Sequence, residues 1–331
     1  MQNERGKIIS GMKRFLKGFG VLVAAIGGLL TSACAPQILT PDKTTPSYVT
    51  LEMYSGRVLY SSNANIRRPI GMLTNVATAV VVLDWVRAQN VDLNTMIEVP
   101  AEALRWQRTN LLKLRAGDRL SLRDALYSAL LWDDSACATA AAIACGKTLS
   151  KSDPEDAFIT EMNKLALRLG MTSTTFKGTN GAVITQSSAR DMALLGMYAL
   201  LDTNLRNITS QHYVTANIYT RAGVRTQVIR NNNRLLNRKQ NVDGIKVAQS
   251  RSAGSCLMVS SSRASVKRTN PTTGQPGTYG QRLLVVMLGM PSSGARYGTA
   301  DKFLANGWDA WDRWLPSNDY QDHSKFITLP N

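Results

Sequence analysis

Residues 67–85 read RRPIGMLTNVATAVVVLDW, and this stretch decides the fold. A Pro-Ile pair at 69–70 precedes residues 76–83, which are all small, apolar or β-branched. A helix with such residues on every side is buried on most of its sides, so the segment predicts a helix through the middle of the core. Met72 and Asn75 lie three residues apart in its first turn, a spacing that puts two side chains on one helix face.

The rest of the chain is predicted to supply one hairpin, then helices, then strands. Alternating residues flank Ser55-Gly56, which is a hairpin signal. Further helices are predicted from apolar spacing and further strands from β-rich runs. The helices fall at 118–146 (broken at 133–135), 157–170, 188–201 and 296–315, and the strands at 243–249, 255–263 and 282–290.

This order predicts one α+β domain over residues 48–316, in which an antiparallel sheet is flanked by helices. A polar, basic insertion at 264–281 joins the last two strands and is predicted to be an extended hairpin tip. The chain is 44% hydrophobic and 19% charged, as expected for a globular protein with a sizeable core.

The N-terminus is predicted to be a targeting segment. Lys13, Arg14 and Lys17 precede an apolar run at 19–30. That run is well short of the roughly 20 residues that cross a bilayer as a helix, which favours a secretory signal. Thr31-Ser32-Ala33-Cys34 resembles the bacterial lipobox, so residues 1–33 are interpreted as a lipoprotein signal peptide and Cys34 as the lipidated residue. A plain signal peptide, with Cys34 incidental, is the alternative.

Residues 34–47 are rich in Pro and Thr and are interpreted as a lipid-anchored tether, and residues 317–331 as a C-terminal tail. Ala35 follows the cysteine where an aspartate is typical of inner-membrane retention. The protein is therefore expected to be secreted across the inner membrane and anchored in the outer membrane, facing the periplasm.

The chain is basic, with a net charge of +16. Residues 1–33 hold five basic residues and one acidic residue, so the remaining 34 basic and 22 acidic residues give the mature chain +12. Such a charge attracts anionic cell wall or lipid head groups, although a solvated basic surface is an equal interpretation. No nucleic-acid, cofactor or metal motif is present, and Cys137, Cys145 and Cys256 are interpreted as buried small hydrophobes.

Several phrases occur together in one order: GRVLYSSNANIRRPI, LRAGDRLSLRDALYSALL, MNKLALRLGMTSTTF, SSARDMALL, NNNRLL, VDGIK and RLLVVMLGM. In this the chain resembles, over residues 48–315, the D-alanyl-D-alanine carboxypeptidases, which are low-molecular-mass penicillin-binding proteins of the serine-type DD-peptidase and β-lactamase superfamily. The resemblance implies the DD-peptidase/β-lactamase-like fold, with a helical subdomain beside the sheet.

In this family catalysis depends on three motifs, and the resemblance maps all three onto altered residues. Ser-x-x-Lys, which supplies nucleophile and base, falls on Met72 and Asn75. A thioether has no proton to lose and an amide is no base, so neither residue can take the family's role.

Ser-x-Asn, which helps proton transfer and holds the substrate amide, falls on Asp133-Asp134-Ser135 with one residue of slack. Lys-Thr-Gly, beside the substrate, falls on Lys246-Val247-Ala248, where only the lysine is kept. By analogy the backbone N–H groups of Met72 and Gln249 would form an oxyanion hole. A residual ligand-binding groove is predicted at Met72, Asn75, Ser135, Lys246 and Gln249.

The function predicted from these residues is a catalytically degenerate family member, anchored to the membrane through Cys34, that binds peptidoglycan or an envelope protein. The alternative is a working serine-type carboxypeptidase with a non-standard nucleophile, for which Thr74, Thr78 and Cys137 are the candidates. A third hypothesis is a structural scaffold that contacts its partner through residues 264–281. The pair Asp133 and Asp134 is interpreted as a helix N-cap in preference to a metal or acid/base pair.

Overall fold

The computed structural model describes residues 45–105, 109–237, 241–269 and 273–315. The predicted signal peptide, Cys34, most of the tether and the C-terminal tail lie outside the described residues. Within them the chain forms an α+β fold, as the sequence predicted.

A five-stranded antiparallel sheet in the order β2-β1-β11-β10-β9 is the largest element. Two of its strands, β10 and β11, continue beyond the sheet as a two-stranded extension that ends with Thr269 opposite Pro276. This confirms the extended hairpin predicted for residues 264–281. The strands are β1 (Ser47–Glu52), β2 (Val58–Ser62), β9 (Val242–Ser250), β10 (Gly254–Thr269) and β11 (Pro276–Met290).

Each face of this sheet carries its own apolar core, because successive side chains in a strand point to opposite faces. Leu283, Val285 and Met287 of β11 pack beneath the last helix, α7 (Ser293–Trp314), together with Trp308 of that helix. The intervening residues of β11, among them Leu284, Val286 and Leu288, pack on the other face with the remaining helices.

The helical region is built around α1 (Thr74–Gln89), the helix predicted from the opening stretch. By length and composition residues 71–89 could cross a membrane, but 78% of that window is buried inside the protein, as in a core helix. The other helices are α2 (Leu122–Leu131), α3 (Ser135–Gly146), α4 (Pro154–Arg168), α5 (Ala189–Ala199) and α6 (Thr203–Thr209).

A smaller antiparallel sheet in the order β4-β5-β7-β8 lies beside these helices. Its two long strands form a hairpin that the sequence analysis did not predict. Exposed Tyr and Val residues on the outer face of the hairpin weaken the alternation of polar and apolar residues along each strand. A further two-stranded sheet pairs β3 with β6. The strands are β3 (Arg68–Pro69), β4 (Met96–Glu98), β5 (Arg119–Ser121), β6 (Gln186–Ser187), β7 (Tyr213–Thr220) and β8 (Gly223–Arg230).

We expect the core beneath α7 to be essential for stability. Leu304 of α7 is fully buried, so Leu304→Ala should lower the free energy of unfolding by about 2–5 kcal/mol through lost burial and the cavity left behind. The matched control is Leu167→Ala on α4, where the side chain is 79% exposed and the change should stay within about 0.5 kcal/mol. Urea unfolding measures both, and equal losses would contradict the assignment of the core.

Candidate functional site

The backbone at the start of α1 packs closely against two neighbouring segments. A 3-10 turn, Gly71–Leu73, leads into the helix. Gly71 has φ +52° and its α-carbon lies against the Ser250 side chain, while a Cβ at Gly181 would meet the Met72 backbone nitrogen at 2.3 Å. Glycine is needed at Gly181 because any side chain there would push the turn away, and this contact fixes where Met72 lies.

The Met72 side chain points to the start of α3 and fills space there. Its Sδ accepts a hydrogen bond from Ser135 Oγ at 3.7 Å. Met72 is 8% exposed and Ser135 is fully buried. Methionine fills irregular gaps of this kind well, so the two residues form a packing contact with a weak hydrogen bond from the serine hydroxyl.

Asn75 is tied to the C-terminal end of α2. Its Nδ2 donates to the carbonyl oxygen of Ala129 at 2.9 Å, and its Oδ1 is buried without a hydrogen-bond partner in the described part of the chain. An unpaired buried amide oxygen lowers stability, and the neutral side chain cannot accept a proton at physiological pH. Asn75 is thus a helix–helix link in this structure.

Lys246 is the third member of the cluster and is 1% exposed. Its Nζ donates to the carbonyl oxygens of Ala129 at 3.0 Å and Leu130 at 2.8 Å, and to Asp133 Oδ1 at 2.5 Å. A cation at the C-terminal end of a helix interacts favourably with the helix dipole. The three acceptors use all the donors of an ammonium group, and Asp133 neutralises its charge.

Asp133 and Asp134 have different roles, which corrects the interpretation of both as an N-cap. Asp134 is the N-cap of α3: its Oδ1 accepts from Cys137 N at 2.9 Å and its Oδ2 from Leu112 N at 2.8 Å. Burial raises the pKa of Asp134. Asp133 caps no helix in the described part of the chain. Its backbone has φ +68°, and its carboxylate lies against Lys246. Asn232 Nδ2 donates to the other carboxylate oxygen at 3.4 Å.

The residues after Lys246 alternate between the two faces of β9. Val247 belongs to the core beneath α7, so its isopropyl group lies on the opposite side of the sheet from Lys246. The Ala248 carbonyl oxygen accepts from Arg296 Nη1 at 2.8 Å, and exposed Gln249 accepts at its Oε1 from Ser293 Oγ at 2.8 Å. The start of α7 therefore braces this strand.

The structure brings together Met72, Asn75, Ser135 and Lys246, four of the five residues predicted for a groove, and buries all four. Gln249 stands apart at the exposed end of the same strand. Sequence reasoning missed Asn232 and Arg296; the run of three asparagines at 231–233 was visible, but nothing in it pointed to Asp133. The use of this cluster as a ligand groove stays a prediction.

The three candidates for another nucleophile are all engaged or buried. Thr74 Oγ1 donates to the Gly71 carbonyl oxygen at 2.9 Å, and Thr78 Oγ1 donates to the Thr179 carbonyl oxygen at 2.6 Å. Cys137 is fully buried, and burial, reinforced by the Asp134 carboxylate, raises its pKa well above the ordinary thiol value. A thiolate is the nucleophilic form of cysteine, so this environment suppresses reactivity.

Other reactive groups are not assembled at this place. Among the described residues no group of three or more His, Cys, Asp or Glu side chains could hold a metal ion. His212 lies exposed at the start of β7, and His323 is outside the described residues. Burial also raises the pKa of Cys256, to about 11. The predicted absence of metal and cofactor stays a prediction.

Comparison with known proteins identifies the family. The sequence profile of the D-alanyl-D-alanine carboxypeptidases matches residues 34–270, and the chain belongs to this family. It is 27% identical over 297 residues to D-alanyl-D-alanine carboxypeptidase DacC of Escherichia coli, covering 86% of this chain and 66% of that protein. It is 26% identical over 251 residues to the D-alanyl-D-alanine carboxypeptidase of Streptomyces K15, covering 74% and 84%.

Solved structures agree on the fold. The crystal structure of the Streptomyces K15 DD-transpeptidase superposes with a TM-score of 0.69 at 24% identity, covering 79% of this chain and 96% of that one. Penicillin-binding protein D2 of Listeria monocytogenes in its ampicillin-bound form gives 0.61 at 23% identity. The DD-peptidase-like fold is therefore confirmed. The chain spans 66% and 57% of the lengths of the two Escherichia coli carboxypeptidases DacC and DacA.

The Lys246 cluster yields a direct stability test. Lys246→Met removes one donor from each of two carbonyl groups and leaves the Asp133 carboxylate without its counter-ion, so it should lower the free energy of unfolding by about 2–4 kcal/mol. A double-mutant cycle with Asp133→Asn should give a coupling energy of about 1–3 kcal/mol.

Lys164→Met on α4 is the matched control for this cycle. Its ammonium makes an exposed ion pair with Glu161 at 2.8 Å, which should be worth no more than about 1 kcal/mol. A Lys246→Met protein as stable as the control in urea would show that the lysine is not part of the fold's support.

Proposed function

We propose that this protein is a catalytically inactive member of the D-alanyl-D-alanine carboxypeptidase family that acts by binding within the cell envelope. One observation carries the proposal: the positions of nucleophile, base and substrate-side lysine form a closed structural cluster. Met72 packs on Ser135, Asn75 bonds to the Ala129 carbonyl, and Lys246 is saturated by two carbonyl groups and Asp133.

Acyl transfer by this family's route needs a proton-bearing nucleophile and a base next to it. Met72 and Asn75 supply neither. In a serine protease, removal of the catalytic serine alone lowers kcat by a factor of about 10⁶. A loss of that size, combined with the absence of the base, would leave no useful turnover through this site.

Recognition of a substrate carboxylate would also be lost. A lysine attracts an anion only while its charge is not matched by a nearer carboxylate, and Asp133 lies 2.5 Å from Lys246 Nζ. Val247, which stands in place of a hydroxyl-bearing residue, is turned into the core beneath α7. An anionic ligand would therefore find no free ammonium group at Lys246.

The alternative is a carboxypeptidase with another nucleophile, and membership of the family is the observation in its favour. It requires a reactive side chain within reach of a substrate. Thr74 and Thr78 are each hydrogen-bonded to a backbone carbonyl oxygen, and Cys137 is buried with a raised pKa. These contacts favour the inactive form.

The proposal includes a lipid anchor at Cys34 and a position at the outer membrane facing the periplasm, with peptidoglycan or an envelope protein as partner. A tether of the 14 residues 34–47 reaches at most about 50 Å, so the domain would stay close to its membrane. The net charge of +12 after residue 33 supports attraction to anionic wall or lipid.

Labelling with a fluorescent penicillin tests the inactive site. We expect the full-length protein, purified in detergent, to keep its intact mass after incubation, because Met72 cannot be acylated and the Ser135 hydroxyl and Lys246 amine beside it are buried. The Escherichia coli carboxypeptidase DacC, labelled in parallel, is the control. A covalent adduct that peptide mapping places on any residue of this chain would refute the proposal.

Substitution of Cys34 tests the anchor. In a bacterial host fed radiolabelled palmitate, the wild-type chain should carry label and sediment with membranes, and Cys34→Ala should lose both properties because the thiol is the attachment point. Cys145→Ala, at a fully buried thiol, serves as the control and should remain labelled. Label retained by Cys34→Ala, or a wild-type protein that is released and unlabelled, would contradict the anchor.

A further inference from the structure

The outer face of the β7–β8 hairpin concentrates exposed apolar side chains. The described residues include seven large hydrophobic side chains that are strongly exposed, and four of them lie on this hairpin. Exposed apolar groups scattered singly need no explanation, but a contiguous set marks an interaction surface. The four are Tyr213 (64% exposed), Tyr219 (45%), Val224 (59%) and Val228 (43%).

The register of the hairpin places these four side chains on one face. Tyr219 lies opposite Val224, and Tyr213 lies opposite Arg230 at the other end. Directly opposed residues share a face, and the tyrosines, six residues apart, are separated by roughly 20 Å. The exposed positions between them are Thr215, Asn217, Thr226 and Val228. The inward positions Ala216, Ile218 and Ile229 are buried, so both faces of the hairpin are defined.

β8 is also an edge strand. In the described part of the chain it is the last strand of its sheet, and it pairs with β7 in continuous register over eight residues. Natural proteins protect a long edge strand with bulges, prolines or lysines, because its outward N–H and C=O groups otherwise pair with another chain. GVRTQVIR contains no proline, lysine or bulge, and its charged residues are Arg225 and Arg230.

Three other sheet edges are protected or short. β2 has a register irregularity against β1, and its Tyr60 contacts α7 through the Asn306 carbonyl oxygen. The end of β9 is covered by the 3-10 turn, because Gly71 lies against Ser250. β4 is three residues long. Of these edges β8 is the one suited to accept a strand.

Charge indicates what kind of strand would fit. Residues 211–230 contain three arginines and no acidic residue. Arg225 is engaged with the carbonyl oxygens of Leu112 and Lys113, whereas Arg221 and Arg230 are exposed on the hairpin and Arg119 is exposed opposite Tyr219. A second copy of this chain would bring arginines against arginines, whereas an acidic segment would be attracted.

We propose that the outer face and free edge of the β7–β8 hairpin bind an extended acidic segment of a partner protein, which adds to the sheet as a strand beside β8. Backbone hydrogen bonds would supply affinity, and apolar side chains on alternate residues of the segment would cover Val224 and Val228. Tyrosine and arginine are enriched at protein interfaces, which favours a protein over a glycan as the occupant.

This surface is continuous with the degenerate site. β8 ends at Arg230, and the backbone N–H of Asn232 then donates to the Leu131 carbonyl oxygen at 2.9 Å while the Asn232 side chain reaches Asp133. A strand bound beside β8 would therefore run towards Asp133 and Lys246. The inference rests on the proposed binding function, but penicillin labelling tests that function at a different place, so the two can fail separately.

The test uses the full-length protein in detergent and, as the probe, a fluorescent decapeptide Glu-Thr-Val-Thr-Glu-Thr-Val-Thr-Glu-Thr, whose alternate residues put valine and glutamate on one face. We expect saturable binding by fluorescence anisotropy, and slower hydrogen exchange of the β8 amides in its presence. The same decapeptide with lysine in place of each glutamate should bind at least about tenfold more weakly because of like-charge repulsion.

Two variants and one matched control locate the site. Val224→Glu/Val228→Glu and, separately, Arg230→Glu should each weaken binding at least about tenfold, since the first removes the apolar contact and the second reverses a charge. Leu149→Glu/Leu167→Glu places the same two charges at exposed leucines elsewhere and should bind as the wild type does. Circular dichroism confirms that all variants fold.

Several outcomes would overturn the inference. These are no binding of either peptide, equal binding of both peptides, unchanged binding by the two hairpin variants, or exchange slowed elsewhere than in β8. A dimer in sedimentation experiments that is lost in Val224→Glu/Val228→Glu would assign the surface to a second copy. Displacement of the probe by purified peptidoglycan would assign it to the cell wall.

Discussion

The contact between Lys246 and the end of α2 joins the two halves of this fold. The lysine extends from β9 of the large sheet, and its ammonium group lies on the last-turn carbonyls of a helix in the helical region, with Asp133 completing the shell. Burying an ammonium is costly unless it is paired and fully hydrogen-bonded, and here both conditions are met. Lys246 is therefore part of the architecture that joins the sheet to the helical region.

Two neighbouring residues, Asn75 and Met72, belong to the same cluster as Lys246. Asn75 donates to the Ala129 carbonyl oxygen, which also accepts from Lys246. Two side chains therefore bond to one oxygen atom. Met72 packs on Ser135 at the start of α3. Contacts within the cluster thus engage the Met72 thioether, the Asn75 amide nitrogen and the Lys246 ammonium group.

Most of the fold could be predicted from the sequence, because its signals are local. The apolar residues of α1, the turn at Ser55-Gly56 and the basic insertion between β10 and β11 each specify their own element. The β7–β8 hairpin was missed since its outer face carries Tyr and Val at exposed positions, which weakens the usual alternation. Exposed apolar residues that obscure a pattern are themselves a sign of an interaction surface.

The site could be predicted only as a set of positions. The family resemblance pointed to Met72, Asn75, Ser135 and Lys246, and the structure brings these together. Spacing could not show that Asp133 turns away from the α3 cap towards Lys246, because that depends on its backbone at φ +68°. Nor could it show that Val247 faces the core beneath α7, which is set by the pairing of β9 with β10. Partners fixed by tertiary packing are not encoded locally.

Family membership and the contacts of Lys246 are the basis of the proposal that this carboxypeptidase fold acts by binding. Release of D-alanine from a peptidoglycan stem pentapeptide tests this most directly, with enzyme-coupled detection and the Escherichia coli carboxypeptidase DacC as positive control. The account predicts that the full-length protein releases no more D-alanine than a heat-denatured sample, at any substrate concentration. Saturable D-alanine release that penicillin inhibits would contradict it.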